Sequence, residues 1–180
     1  MPDKERNVYL VGPMGAGKTA VGRELARALG KPFLDTDAEI ERRTGVDIPF
    51  IFEKEGEERF RQREREVIAD LTARDGVVVA TGGGAVLDAA NRERLTSTGI
   101  VVYLRTTVAE QLRRTRSARN RPLLATDDPE AVLERLAAAR SHLYEEVADI
   151  TVDTTGRQVR SVVALVRQLL ERRAEAALQK

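Results

Sequence analysis

One octapeptide constrains this chain more than any other feature. Gly12-Pro13-Met14-Gly15-Ala16-Gly17-Lys18-Thr19 fits the pattern G-x-x-x-x-G-K-[ST]. The apolar run Val8-Tyr9-Leu10-Val11 precedes it, and Val21, Leu25, Ala28 and Leu29 recur after it at helical spacing, so the segment reads as strand, loop and helix. Glycines let the backbone curl until consecutive N–H groups point inward at an anion, and the helix that follows aims its positive end at the same point. Lys18 is long enough to reach β- and γ-phosphates, and the Thr19 hydroxyl is placed to ligate Mg²⁺.

The other apolar runs agree with an α/β sheet. Val77-Val78-Val79-Ala80 and Ile100-Val101-Val102-Tyr103-Leu104 are nearly continuous in apolar character, as expected of strands covered on both faces. Pro32-Phe33-Leu34-Asp35 and Asp149-Ile150-Thr151-Val152 are weaker strand candidates, and helical periodicity fills the gaps. The clearest helical stripe is Val159, Val162, Val163, Val166 and Leu170. Strands alternating with helices predict a three-layer α/β/α fold with a five-stranded parallel sheet and right-handed crossovers. At 180 residues, one domain is expected. With 0 Cys and a single histidine, His142, there is no disulfide framework, no thiol nucleophile and no Cys or His metal cluster. His142 itself reads as an exposed helix residue. Lys+Arg at 30 against Asp+Glu at 29 lacks the cation surplus of a dedicated nucleic-acid binder. No apolar stretch approaches the roughly 18 residues that span a bilayer, and the start carries charges of both signs, so a soluble cytoplasmic protein is expected. The polar stretch Glu171–Glu175 is expected to fray.

A phosphate loop alone does not separate a kinase from a switch or a motor. No Asn-Lys-x-Asp segment reads guanine, and 180 residues leave little room for a coupled mechanical domain. A small kinase needs an acceptor site and a basic lid, and candidates for both are present. Asp35-Thr36-Asp37 follows the second strand, where ligands of open α/β sheets bind. Asp35 could hold Mg²⁺ through its water shell and Asp37 could act as general base toward a hydroxyl, or Asp37 could simply cap the next helix. Arg140 falls on the apolar stripe of Leu133, Leu136, Ala137, Tyr144 and Val147, and Arg61 sits two turns before Ile68. An inward arginine is costly without an anion beside it. The pair suits bidentate capture of a substrate carboxylate, or internal ion pairs with Glu57, Glu58 or Glu64. Gly82-Gly83-Gly84 lets a substrate approach bare backbone, or is a flexible turn capped by Asp88. The basic segment Arg113–Arg121, followed by Pro122-Leu123-Leu124, reads as a lid over ATP, a solvated loop or, less well, a nucleic-acid patch.

Together these motifs resemble the shikimate kinases, within the nucleoside-monophosphate-kinase-like P-loop fold. The likeness runs from the first strand to about Val159. It is carried by the phosphate loop, Leu34-Asp35-Thr36-Asp37, Ile51-Phe52-Glu53 with Gly56-Glu57 and Phe60-Arg61, Gly82-Gly83-Gly84, Arg121-Pro122-Leu123-Leu124, and Arg140 before Leu143-Tyr144. The resemblance implies transfer of a phosphoryl group from MgATP to the 3-hydroxyl of shikimate. It implies that Asp37, Arg61, Gly82, Gly83, Gly84 and Arg140 hold shikimate, with the arginines on its carboxylate. Gly15, Ala16, Gly17, Lys18, Thr19 and Ala20 would cradle ATP, with Thr19 and Asp35 on the metal. Lys18, Asp37 and Arg121 would serve the transfer, Arg121 descending with the lid, and Arg114 and Arg157 would lie near the adenine. Residues 37–63 would form a small helical substrate-binding subdomain and 113–125 the lid, all within one domain spanning 1–180. The implied partners are shikimate and ATP, with no nucleic acid and no membrane, and a monomer is expected. A gluconate-type kinase, a catalytically silent nucleotide-binding module and a nucleic-acid module are the competing readings.

Overall fold

Each parallel strand must return over a helix before it can pair again, and the chain follows that rule. The computed structural model describes residues 6–116 and 124–180. In chain order the elements are β1 (Asn7–Val11), α1 (Lys18–Leu29), β2 (Phe33–Asp35), α2 (Thr36–Thr44), α3 (Ile48–Thr72), β3 (Val78–Ala80), a 3-10 turn (Ala85–Leu87), α4 (Ala89–Thr98), β4 (Gly99–Arg105), α5 (Val108–Thr115), α6 (Pro129–Val147), β5 (Ile150–Asp153) and α7 (Val159–Leu178). The strands form a five-stranded sheet in the order β2-β3-β1-β4-β5, and every pairing is parallel.

Strand geometry sorts the apolar residues into two layers, because successive side chains point to opposite faces. Val8 and Leu10 of β1 join Val78, Ile100 and Val102 in a cluster with Leu25 of α1 and Val162, Val163 and Val166 of α7. Tyr9 and Val11 join Val79, Val101 and Tyr103 in the other cluster, with Phe60, Val67 and Leu71 of α3, Leu95 of α4, and Tyr144 and Val147 of α6. β1 is central and buried along its whole length, which explains why its sequence does not alternate.

One element departs from the sequence reading. The stretch Glu171–Glu175 does not fray: α7 runs through it to Leu178, and the Arg173 guanidinium donates to Asp149 Oδ1 at 3.0 Å. Helix α3 is broken at Gly56, whose φ of 82° and ψ of 170° are nearly closed to other residues. The bend folds the first part of α3 back on the second. Arg63 thereby donates to both oxygens of Glu55, at 2.9 and 2.8 Å.

The site follows from the topology. α1 leaves β1 toward the α7 face, while the 3-10 turn and α4 leave β3 toward the opposite face. A crevice opens at the carboxyl ends of two neighbouring strands whose connections diverge in this way. Among the described residues, no helix is long and apolar enough to cross a membrane.

Candidate active site

A cleft of about 440 Å³ occupies this crevice. The phosphate loop and the start of α1 supply Gly15, Gly17, Lys18, Thr19 and Ala20 to its wall. The β2–α2 junction supplies Asp35 and Asp37, the end of β3 supplies Gly82 and Gly83, and α5 supplies Arg114. Gly15 and Gly17 have φ of 78° and 92°, so the loop uses the left-handed conformations that let its N–H groups converge. Ala16 is buried behind that surface.

A loop whose N–H groups point inward must send its carbonyls outward, and each needs a donor. Lys18 Nζ donates to Gly12 O at 2.7 Å and Pro13 O at 2.8 Å. Gln111 Nε2 of α5 donates to Met14 O at 2.9 Å, Arg114 Nη1 to Gly15 O at 2.9 Å, and Thr154 Oγ1 to Ala16 O at 3.0 Å. Arg114 also donates to Thr154 O at 2.8 Å and pairs with Glu110 at 2.9 Å. Arg114 is thus tied to the loop. Arg157 is exposed on the β5–α7 turn and does not line the cleft. Residues 113–115, the first of those expected to form a lid, lie in the last turn of α5, where Arg113 donates to Glu110 at 2.9 and 2.7 Å. Arg121 lies outside the described residues.

Across the cleft, the Thr19 hydroxyl donates to Asp35 Oδ2 at 2.9 Å. Asp35 Oδ1 accepts the N–H of Ala38 at 3.0 Å, so the cap of α2 is Asp35 and the bland role weighed for Asp37 falls to its neighbour. Asp37 lies in the first turn of α2 and turns into the cleft. Thr36, fully buried, accepts the Gly82 N–H at 2.9 Å and fixes the β2 end against the β3 end.

The glycine turn is where the charged groups meet. A Cβ on Gly82 would sit 2.8 Å from both Asp37 Oδ1 and Glu64 Oε2. One on Gly83 would lie 3.6 Å from Arg140 Nη1, and one on Gly84 would collide with the Arg61 guanidinium. Bare backbone at Gly82 and Gly84 is therefore what lets two carboxylates and the Arg61 guanidinium close on one turn, while at Gly83 a Cβ would only touch Arg140. Asp88 caps α4, not this turn, by accepting the Asn91 N–H at 3.1 Å. Arg140 is 5% exposed and makes no ion pair among the described residues. The internal pairing allowed for Arg61 is present: it reaches Glu64 at 2.9 Å and Glu57 at 3.3 Å.

Glu64 is 1% exposed, and Oε2 has no hydrogen-bond partner. Burial pushes its carboxyl above the usual range, and the nearby Arg61 and Arg140 pull it back only in part. In the sequence Glu64 appeared only as one of several possible partners for Arg61. Tyr144 was also read as plain core, yet its hydroxyl, pushed up to about 12 by burial, donates to Gly83 O at 2.6 Å. Gln111 and Thr115 left a usable signal, since they fall three and seven residues after Val108 on the inward stripe of α5.

A glycine cradle for polyphosphate therefore faces a turn ringed by guanidinium and carboxylate groups. Comparison with known proteins points to one family. The family profile for shikimate kinase matches residues 14–171. A shikimate kinase of Halorhodospira halophila is 60% identical over 164 residues, covering 91% of this chain and 93% of that protein. One from Methylococcus capsulatus is 56% identical over 167 residues, covering 93% of each. The solved shikimate kinase of Acinetobacter baumannii in complex with shikimate is 53% identical with a TM-score of 0.93, covering 95% of this chain and 96% of that one. On the family profile, these identities and the shared fold, the chain belongs to the shikimate kinase family.

Proposed function

We propose that the chain transfers the γ-phosphoryl group of ATP to the 3-hydroxyl of shikimate, giving shikimate 3-phosphate and ADP. The observation that carries this reading is the meeting of Arg61, Arg140, Asp37 and Glu64 on the Gly82–Gly84 turn, beside the phosphate loop. A buried guanidinium on Arg140 and a partly buried one on Arg61, next to bare backbone, suit a planar carboxylate, and Asp37 suits a ring hydroxyl.

Phosphoryl transfer asks little covalent work of a protein, so positioning and charge stabilisation supply most of the rate. The N–H groups of Gly15 to Ala20 orient the triphosphate. Lys18 exchanges its loop carbonyls for phosphate oxygens and offsets charge on the transferring group. Asp37 orients the attacking hydroxyl and accepts its proton as the new bond forms. Arg121 is assigned to the same phosphates on resemblance alone, as are Arg114 and Arg157 to the adenine side. The oxygen pair Thr19 and Asp35 fits Mg²⁺, a hard cation that takes few protein ligands and keeps several waters. Bound there, Mg²⁺ would neutralise charge on the β- and γ-phosphates. No water is needed in the reaction, and a closed site would exclude it as a competing acceptor. The working protein is a cytoplasmic monomer in this reading.

An ADP-release assay over a panel of hydroxylated acids tests the proposal. Shikimate should be turned over with Mg²⁺ present, and ring polyols of the same hydroxyl pattern without the carboxylate should not. Equal turnover of a carboxylate-free acceptor such as a simple sugar would overturn the acid-binding assignment. ADP release that ignores every acceptor would leave only a nucleotide hydrolase.

A further inference from the structure

The donors to the outward carbonyls of the phosphate loop differ in kind. Lys18 and Arg114 are cations that line the cleft. Gln111 is neutral, 3% exposed, and absent from the cleft wall. It sits behind the loop on α5, where its amide donates to Met14 O through a buried bond of 2.9 Å. Contact there is close: a Cβ on Gly15 would lie 3.2 Å from both Gln111 Cα and Thr115 Cγ2. Beside this bond is a small cavity of about 40 Å³, bordered by Pro13, Met14, Gln111, Leu136, Ala137 and Arg140.

We infer that Gln111 is a positioning residue for the nucleotide. A peptide unit is planar, so the direction of the Met14 carbonyl also sets the direction of the Gly15 N–H on the same unit. That N–H belongs to the segment that faces the phosphates. The Gln111 amide holds the carbonyl outward and so holds the N–H inward before any nucleotide arrives. Without that bond, the Met14 carbonyl is a buried acceptor with no donor, and the cavity behind it gives the peptide room to turn away. A loop that spends part of its time turned away binds more weakly by the fraction of time lost. The inference rests on the reading of the loop as a nucleotide cradle.

The test compares the native protein with Gln111→Met and Gln111→Glu, both close in volume to glutamine. Binding of MgADP and of shikimate is titrated separately by calorimetry at pH 8, and folding is checked by thermal unfolding. Gln111→Met should weaken MgADP about tenfold while shikimate affinity stays within threefold. Gln111→Glu, which faces the carbonyl with an acceptor, should weaken MgADP at least as much; it also decides the question if the methionine variant does not fold. MgADP affinity within twofold of native in a folded variant would overturn the inference, even with a lowered unfolding temperature, because the bond would then serve the fold alone. Equal loss of both ligands would overturn it too. A native protein that takes up no MgADP would instead overturn the kinase reading, and this inference with it.

Discussion

Glu64 shows how one side chain can carry two opposing demands. It holds Arg61 at 2.9 Å, yet it is almost wholly out of water and keeps one oxygen without a partner. Burial outweighs the two guanidiniums, so its carboxyl titrates above its ordinary value of 4.5. Between 4.5 and the raised value, the folded protein keeps a proton that the unfolded chain has released. Stability from this group is therefore complete below 4.5 and is lost as pH rises through that window. Glu64→Gln removes the titration. The unfolding temperature of the variant relative to the native protein should be flat below pH 4.5, climb through the window above it, and level off once the folded protein too has released the proton. A difference that ignores pH would mean that the Arg61 pair ionises Glu64 at its ordinary value. Arg140 was legible in the sequence because it is a charge on an otherwise apolar stripe. Glu64 was not, because Glu53, Glu55, Glu57, Glu58, Glu64 and Glu66 crowd one helix and look alike. Only the direction of α3 after its break decides which of them turns inward.

The break in α3 acts at the scale of the element. Gly56 lets the first part of the helix fold back beside α2, so that Glu55 meets Arg63 and the second part presents Arg61 to the glycine turn. A Cβ on Gly56 would meet nothing within 4 Å, so a substitution there acts through backbone conformation alone. Gly56→Ala should lower stability by about 1–3 kcal/mol, read by urea unfolding. It should also raise the KM for shikimate more than the KM for ATP, since Arg61 moves and the phosphate loop does not. Equal change in both constants would show that the two parts of α3 do not position the acid site. The motif Gly56-Glu57 was visible in the sequence, but apolar periodicity gives no angle between two helical segments. The capping of α2 was ambiguous for a related reason. Asp35 and Asp37 both suit an N-terminus, and the choice depends on where β2 stops, which its pairing with β3 sets.

At the scale of the whole molecule, the three inner strands were readable as runs, because strands covered on both faces need continuous apolar sequence, while the edge strands β2 and β5, partly buried or alternating, left a weaker signal. Their order was not readable, since it depends on which face each helix takes. That order matters for function, because β1 and β3 are neighbours whose helices leave to opposite faces. The cleft between them draws on the phosphate loop, the β2–α2 junction, the β3 turn and α5, segments distant in sequence. A ligand seated there ties these parts together and must stabilise the fold by mass action. At a nucleotide concentration 100-fold above its Kd, the gain is about 2.7 kcal/mol. For a chain of this size that corresponds to roughly 5–11 °C in unfolding temperature. Chelating Mg²⁺ at fixed nucleotide should remove much of the shift if Thr19 and Asp35 hold the metal. Asp35→Asn separates this role from capping. Asparagine caps a helix as well as aspartate does, so the unliganded variant should unfold within a few degrees of native. Its response to Mg²⁺ should shrink, because an amide oxygen replaces a carboxylate next to Thr19. A nucleotide shift that is the same with and without Mg²⁺ in the native protein would remove the metal assignment while leaving the glycine cradle intact.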